Sequence, residues 1–200
     1  MPRLIDHDER NRVIAAAAMR VLVDKGLGAL SVRNVAAEAG IAAASLRRAF
    51  PAQENLRKFC FDAIRQAVAD RIGALEGEGL PFVLALLREF LPLDQVRRGE
   101  LIAQLQLGTL ALTDVSLRDS ASELNREVRG VCAAAIAELV RTEVAVSTVD
   151  PEDEADRLHA LLDGLAIHLL WESRADAEGF ALRILERHLR SLGPDAADRD

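Results

Sequence analysis

The chain has 200 residues, half of them hydrophobic and 28% charged, with a formal net charge of −7; this balance excludes a disordered chain and leaves ample length to bury a core. The opening MPRLIDHDERNR holds no apolar signal core, and the longest uncharged run, Leu101 to Thr113, is too short to span a bilayer, so a cytoplasmic protein without a membrane partner is expected. Only two cysteines, Cys60 and Cys132, are present, which excludes a disulfide framework; neither has the spaced neighbours of a zinc site, and no metal or cofactor is expected.

The charge is unevenly spread. Residues 1–65 carry eleven Lys/Arg against seven Asp/Glu, net +4, while residues 66–200 carry fourteen against twenty-five, net −11. A modestly basic head can approach phosphates while an acidic body is held away from them. In chain order, Asp6 to Lys25 predicts a first helix with Val13, Ala17 and Val21 in register and a stop at Gly26. Ser31 is a good N-cap for a second helix, with Leu30 and Val35 placed as a hydrophobic staple. Ala39-Gly40-Ile41 then predicts a tight turn, because glycine takes left-handed backbone at no steric cost. In the third helix Leu46 and Phe50 share one face, which leaves Ala43, Ala44, Arg47 and Arg48 pointing outward. Small and basic side chains suit a helix in the DNA major groove, since alanine permits close approach and arginine reaches phosphate or a guanine edge. An ordinary surface helix pair has the same periodicity.

Glu54 to about Leu75 predicts a long amphipathic helix with Leu56, Phe59, Ala63, Ala67 and Ile72 on or near one face, ended by Gly77-Glu78-Gly79 and Pro81. Further helices are expected at about 82–91, 94–112, 117–145, 153–171 and 176–191, with no strand alternation anywhere: the fold class is all-α. Leu158, Leu162, Leu165 and Leu169 form one apolar seam and Leu182, Leu185 and Leu189 another. The acidic run Asp150, Glu152, Asp153, Glu154 and Asp156 resembles a metal site only in number; with Pro151 at a helix start it predicts capping. His159 and His168 are too far apart on one helix for joint ligation, and His168 is expected as a core histidine. No nucleophile elbow or phosphate-cradling glycine loop is present, so no enzyme and no catalytic residue is expected.

The run from Val13 to Leu56 resembles the DNA-binding domain of the TetR family of one-component bacterial regulators. The resemblance is carried by the first-helix alanines, Gly26, Ser31, Val35-Ala36, Ala39-Gly40-Ile41, Leu46, Phe50 and a fourth helix beginning near Glu54. This chain has Ala44-Ser45-Leu46-Arg47 where the family usually has Gly-Thr-Leu-Tyr, Gln53 where it usually has Lys, and Ala42 where it commonly has Ser or Thr; the Tyr and Lys normally contact phosphate. Leu91-Pro92-Leu93-Asp94 with Arg97-Arg98, and Leu162 to His168, are similar to the C-terminal domain of the BetI-type branch. That resemblance implies an effector pocket among the middle helices, with Phe82, Phe90, Leu101, Gln104, Leu105, Thr109 and Trp171 as candidates. It also implies a homodimer through about Ala155 to Trp171 and Phe180 to Leu192, with the leucines of both seams, 158, 162, 165, 169, 182, 185 and 189, at the interface.

The expectation is a three-helix helix-turn-helix head at 1–55, a helical effector-binding and dimerisation body at 56–192 and a flexible tail at 193–200. Such a protein would be a repressor released from a palindromic double-stranded DNA operator by a small, mostly apolar or mildly polar molecule. Arg47 and Arg48 would contact DNA, Ala43, Ala44 and Ser45 would lie at the groove, and Arg33 would lie on the phosphates. A helical ligand-binding or scaffold protein with a degenerate head, and a small helical enzyme, are the alternatives.

Overall fold

The structure, a computed structural model, describes residues 7–146, 150–172 and 174–193. Among these, nine α-helices run in order: α1 His7–Lys25, α2 Val32–Ala39, α3 Ala43–Ala49, α4 Gln53–Ile72, α5 Gly79–Arg88, α6 Gln95–Ala111, α7 Val115–Arg141, α8 Pro151–Trp171 and α9 Ala177–Arg190. A single 3-10 turn, Leu27–Ala29, joins α1 to α2. The expected tail at 193–200 lies almost wholly outside the described residues.

Two compact units are formed, one from the chain up to Ala67 with Gly99–Leu124, the other from Val68–Arg98 with Asn125 onward. In the first unit α1 buries Ile14, Ala17, Ala18, Val21 and Leu22, a stripe at 3.6-residue spacing. Val13 is 39% exposed, so the inward register starts one residue later than the sequence suggests. Val35, Leu46, Leu56, Cys60, Phe61 and Ile64 join the same core, as do Ala103, Leu107 and Ala111 of α6 and Leu117 and Leu124 of α7. α6 and the first turns of α7 therefore belong to the core that holds α2 and α3.

In the second unit α5 and α8 both pack on α9. α5 begins at Gly79, earlier than expected, because Pro81 sits in its first turn, where a missing N–H costs nothing. Glu138 of α7 accepts a 2.6 Å bond from the Gly79 N–H, which ties that helix start to α7. α7 stops at Arg141 rather than near 145, since Glu143 adopts left-handed backbone (φ 58°) and Val144 closes back on the Leu139 carbonyl at 2.9 Å. At the head of α8, Asp150 caps the helix by accepting from the Glu152 and Asp153 N–H groups, Pro151 occupies the first position, and Glu152 and Asp156 take Arg129 at 2.7 and 2.5 Å.

The seven leucines expected at a subunit interface are mostly consumed inside one chain. Leu158, Leu162, Leu165, Leu169, Leu185 and Leu189 are at most 5% exposed, and Leu182 is half-buried. The seam is the subunit's own core. Among the residues α8 leaves outward or half-buried, Ala160, Gly164, Ile167 and Trp171 repeat the same 4-3-4 spacing, with Trp171 84% exposed, open space around Gly164, and the exposed Asp156, Arg157 and Asp163 on the same helix. His168, expected in the core, is exposed beside them.

Candidate nucleic-acid interface

The helix-turn-helix is set by local chemistry at three points. Ser31 is extended (φ −148°) and accepts the Asn34 N–H at 3.2 Å, which starts α2. Gly40 ends it in the left-handed region (φ +66°), and the Ile41 N–H returns to the Ala36 carbonyl at 2.9 Å. α3 then begins at Ala43, with Ala42 at its N-cap position giving no side-chain cap, and its seating comes from Leu46 (fully buried) and Phe50, whose ring meets Phe59 of α4 at 5.0 Å between centroids.

Two side chains fasten the frame around α2. The Asn34 amide donates to the Ala29 carbonyl at 2.7 Å, and the Gln53 amide donates to the Leu30 carbonyl. Gln53, standing where a phosphate-binding lysine is usual in the resembled family, thus locks the start of α4 to the start of α2.

On the outer side of this frame Arg33, Ala43, Ala44, Arg47 and Arg48 are all exposed, while Ser45 is half-buried and accepts a 2.8 Å bond from Arg10 Nη2. Among the described residues no carboxylate pairs with Arg10, Arg33, Arg47 or Arg48, whereas Arg12, Arg20, Lys25, Arg57 and Arg65 of the same unit are each answered. Glu38 takes Arg20 at 2.8 Å and Lys25 at 3.6 Å, and the Arg20 hydrogen bond draws its pKa down. Asp114 takes Arg57 at 3.2 Å, and hydrogen bonds from Ser116, foremost, hold its carboxyl below the ordinary range. Among the described residues, Arg10, Arg33, Arg47 and Arg48 thus gather positive charge without an ion-pair partner on and around the helix-turn-helix.

The expected effector residues divide between the units. Leu101 and Gln104 of α6 are half-buried and Leu105 and Thr109 exposed, all in the first unit; Phe82 and Phe90 are half-buried in the second, and Trp171 projects outward from the end of α8. Trp171 thus lines no enclosed wall within its subunit. Two polar residues carry bonds that the sequence did not disclose. Gln106 donates to the Leu22 carbonyl near the end of α1 at 3.0 Å, and Arg10 of α1 is bonded across to Ser45 of α3. Both pairs are more than thirty residues apart in the chain, so they form only once the helices have packed.

Among the described residues no group of three or more His, Cys, Asp or Glu is placed to hold a metal ion. No described helix is long and apolar enough to cross a membrane.

Residues 14–58 match the model for bacterial regulatory proteins of the tetR family, and residues 83–194 match that for the C-terminal domain of BetI-type transcriptional repressors. Over 196 residues the chain is 29% identical to the HTH-type transcriptional regulator PksA of Bacillus subtilis (strain 168), covering 96% of this chain and 94% of that protein. Among solved structures it is similar to the multidrug binding protein EbrR complexed with ethidium (27% identity, TM-score 0.64, 90% of this chain and 98% of that one). A regulator from Saccharomonospora viridis in complex with choline shares the fold at 23% identity (TM-score 0.74, 90% and 95% covered).

Proposed function

The chain belongs to the TetR family of bacterial transcriptional regulators, and on that premise we propose that it is a dimeric repressor released from a palindromic operator by a small, mostly apolar molecule. The observation that carries this reading is the outward face of α3: two alanines, and two arginines that meet no carboxylate among the described residues, on a helix whose opposite side is sealed by Leu46. Alanine methyl groups can pack on thymine methyls, and Arg47 and Arg48 can reach guanine O6/N7 or phosphate, with Arg33 on the backbone.

With a net charge of only +4 in residues 1–65, one head grips DNA weakly, so the reading calls for two. We assign pairing to the outward stripe of α8, where Ala160 and Gly164 permit close approach and Ile167 and Trp171 supply the apolar area. Two-fold symmetry then sets half-sites about one helical turn apart. The functional division we adopt is a reading head at 1–55 and an effector-binding and dimerisation body at 56–192. For effector contact we propose, in the first unit, Leu101, Gln104, Leu105 and Thr109 of α6 and, separately in the second unit, Phe82 of α5 and Phe90 just beyond it. A mostly apolar effector suits a chain with one tryptophan and no tyrosine, which makes an aromatic cage for a quaternary ammonium hard to build.

Selection of duplexes from a random pool by the purified chain tests the reading. A recovered palindrome whose binding is weakened by an apolar compound that also raises the thermal midpoint supports it; recovery of no sequence at low salt overturns it. A helical ligand-binding protein with a silent head is the second reading, favoured by the uncapped α3 and by the turned-in Gln53 amide. Ligand-induced stabilisation without any selected duplex is its signature.

A further inference from the structure

We propose that Arg10, on α1, is a positioning residue for operator reading: it orients the Ser45 hydroxyl so that α3 presents a fixed hydrogen-bond donor to the major groove. This rests on the regulator reading above. The observation is the 2.8 Å bond from Arg10 Nη2 to Ser45 Oγ, between residues thirty-five apart in the chain but within one compact unit. Three features make the bond more than a surface contact. Arg10 is half-buried and, among the described residues, its guanidinium pairs with no carboxylate and bonds to Ser45. Ser45 is the third residue of α3, a helix that lacks a side-chain cap at Ala42, so Arg10 is the tether that reaches its first turn from another helix. Ser45 is also flanked on its own helix by the exposed Ala43, Ala44, Arg47 and Arg48, which places the pair within the reading face.

The chemistry follows from the hydroxyl's inventory of one proton and two lone pairs. Arg10 occupies a lone pair with a charged donor, which biases the O–H proton away from itself and polarises it as a donor. A donor fixed in this way meets guanine O6/N7, adenine N7 or thymine O4, and is mismatched against the amino group of cytosine. Arg10 thereby adds selectivity at one base pair of each half-site.

The test uses the full chain and the duplex it selects from a random pool, with R10A, S45A and R10A/S45A compared in affinity and in repeated selections. Each single variant is expected to weaken binding about tenfold, as loss of a charge-assisted bond would. The double variant should be no worse than about twofold beyond either single, since non-additivity marks residues acting as one. R10A and S45A should relax preference at the same base pair, a readout that a purely structural role does not move. Multiplying losses with no shared base pair, or an R10A variant that binds and selects as wild type does, overturns the inference and leaves the regulator reading standing. A wild-type chain that selects no duplex overturns both.

Discussion

α3 and α8 show opposite ways in which a helix acquires a functional face. α3 has seven residues and one buried side chain, Leu46; the rest is turned out or half-buried by default, and the outward set is read by subtraction. α8 has twenty-one residues and seven buried ones, and it carries two apolar stripes with the same 4-3-4 spacing, 158/162/165/169 and 160/164/167/171. Periodicity identifies a stripe but not the direction in which it looks. The subunit core takes the stripe with more removable apolar area, since each buried leucine contributes roughly 1.5–3 kcal/mol. That leaves the alanine, glycine, isoleucine and tryptophan set for whatever the helix meets next.

The sharpest way to break this contrast is to cut each stripe of α8 separately. Leu165→Ala is expected to cost about 2–5 kcal/mol of subunit stability, measured by denaturant unfolding. Ile167→Arg should leave helicity by circular dichroism intact and shift the sedimenting species to a monomer. Equal unfolding losses from both would show that the stripes do not differ. On α3 the matching experiment removes what lies outside. Arg47→Ala and Arg48→Ala should each lower operator affinity by about 1–3 kcal/mol with the unfolding midpoint unchanged, and whichever of them binds phosphate should also flatten the salt dependence by about one unit of slope.

A smaller effect sharpens how α3 is aimed. Gly40→Ala places a side chain in open space but in left-handed backbone, so a loss of about 1–2 kcal/mol is expected from strain alone, with Gly40→Asn losing less. The smallest effect is a pH response confined to the α8–α9 side. Burial, before all else, lowers the pKa of His188, which lies 3.9 Å from Glu154 and near Arg157. A histidine with a depressed folded pKa adds stability above its ordinary value of 6.5 and loses it as pH falls below that. Acidification from pH 7.5 to 5.5 should therefore lower the unfolding midpoint of wild type more than that of His188→Gln. α3 carries no group that titrates in this window, so affinity changes from Arg47→Ala should be the same at both pH values.

The head was legible because its determinants are local. Ser31 caps within three residues, Gly40 turns within one, and Leu46 with Phe50 leaves a single outward face. The seam leucines were legible as a stripe but not in direction, because spacing is blind to it; within one subunit they are buried or half-buried, while Ala160, Ile167 and Trp171 are exposed. Pro81 was read as a breaker because a proline in a first turn and one in a loop leave the same mark in sequence. The Arg10–Ser45 and Gln106–Leu22 bonds had no sequence signal at all, since they exist only once distant helices have packed.

The doubled spacing on α8 also restricts the gene. Each residue advances a helix by about 100°, so inserting or deleting one residue midway along α8 would rotate everything after it by that angle. Leu165 and Leu169 would swing out of the core, and Ile167 and Trp171 off the outer stripe, in one event. Substitutions can drift on either side of this helix one at a time, but its length cannot.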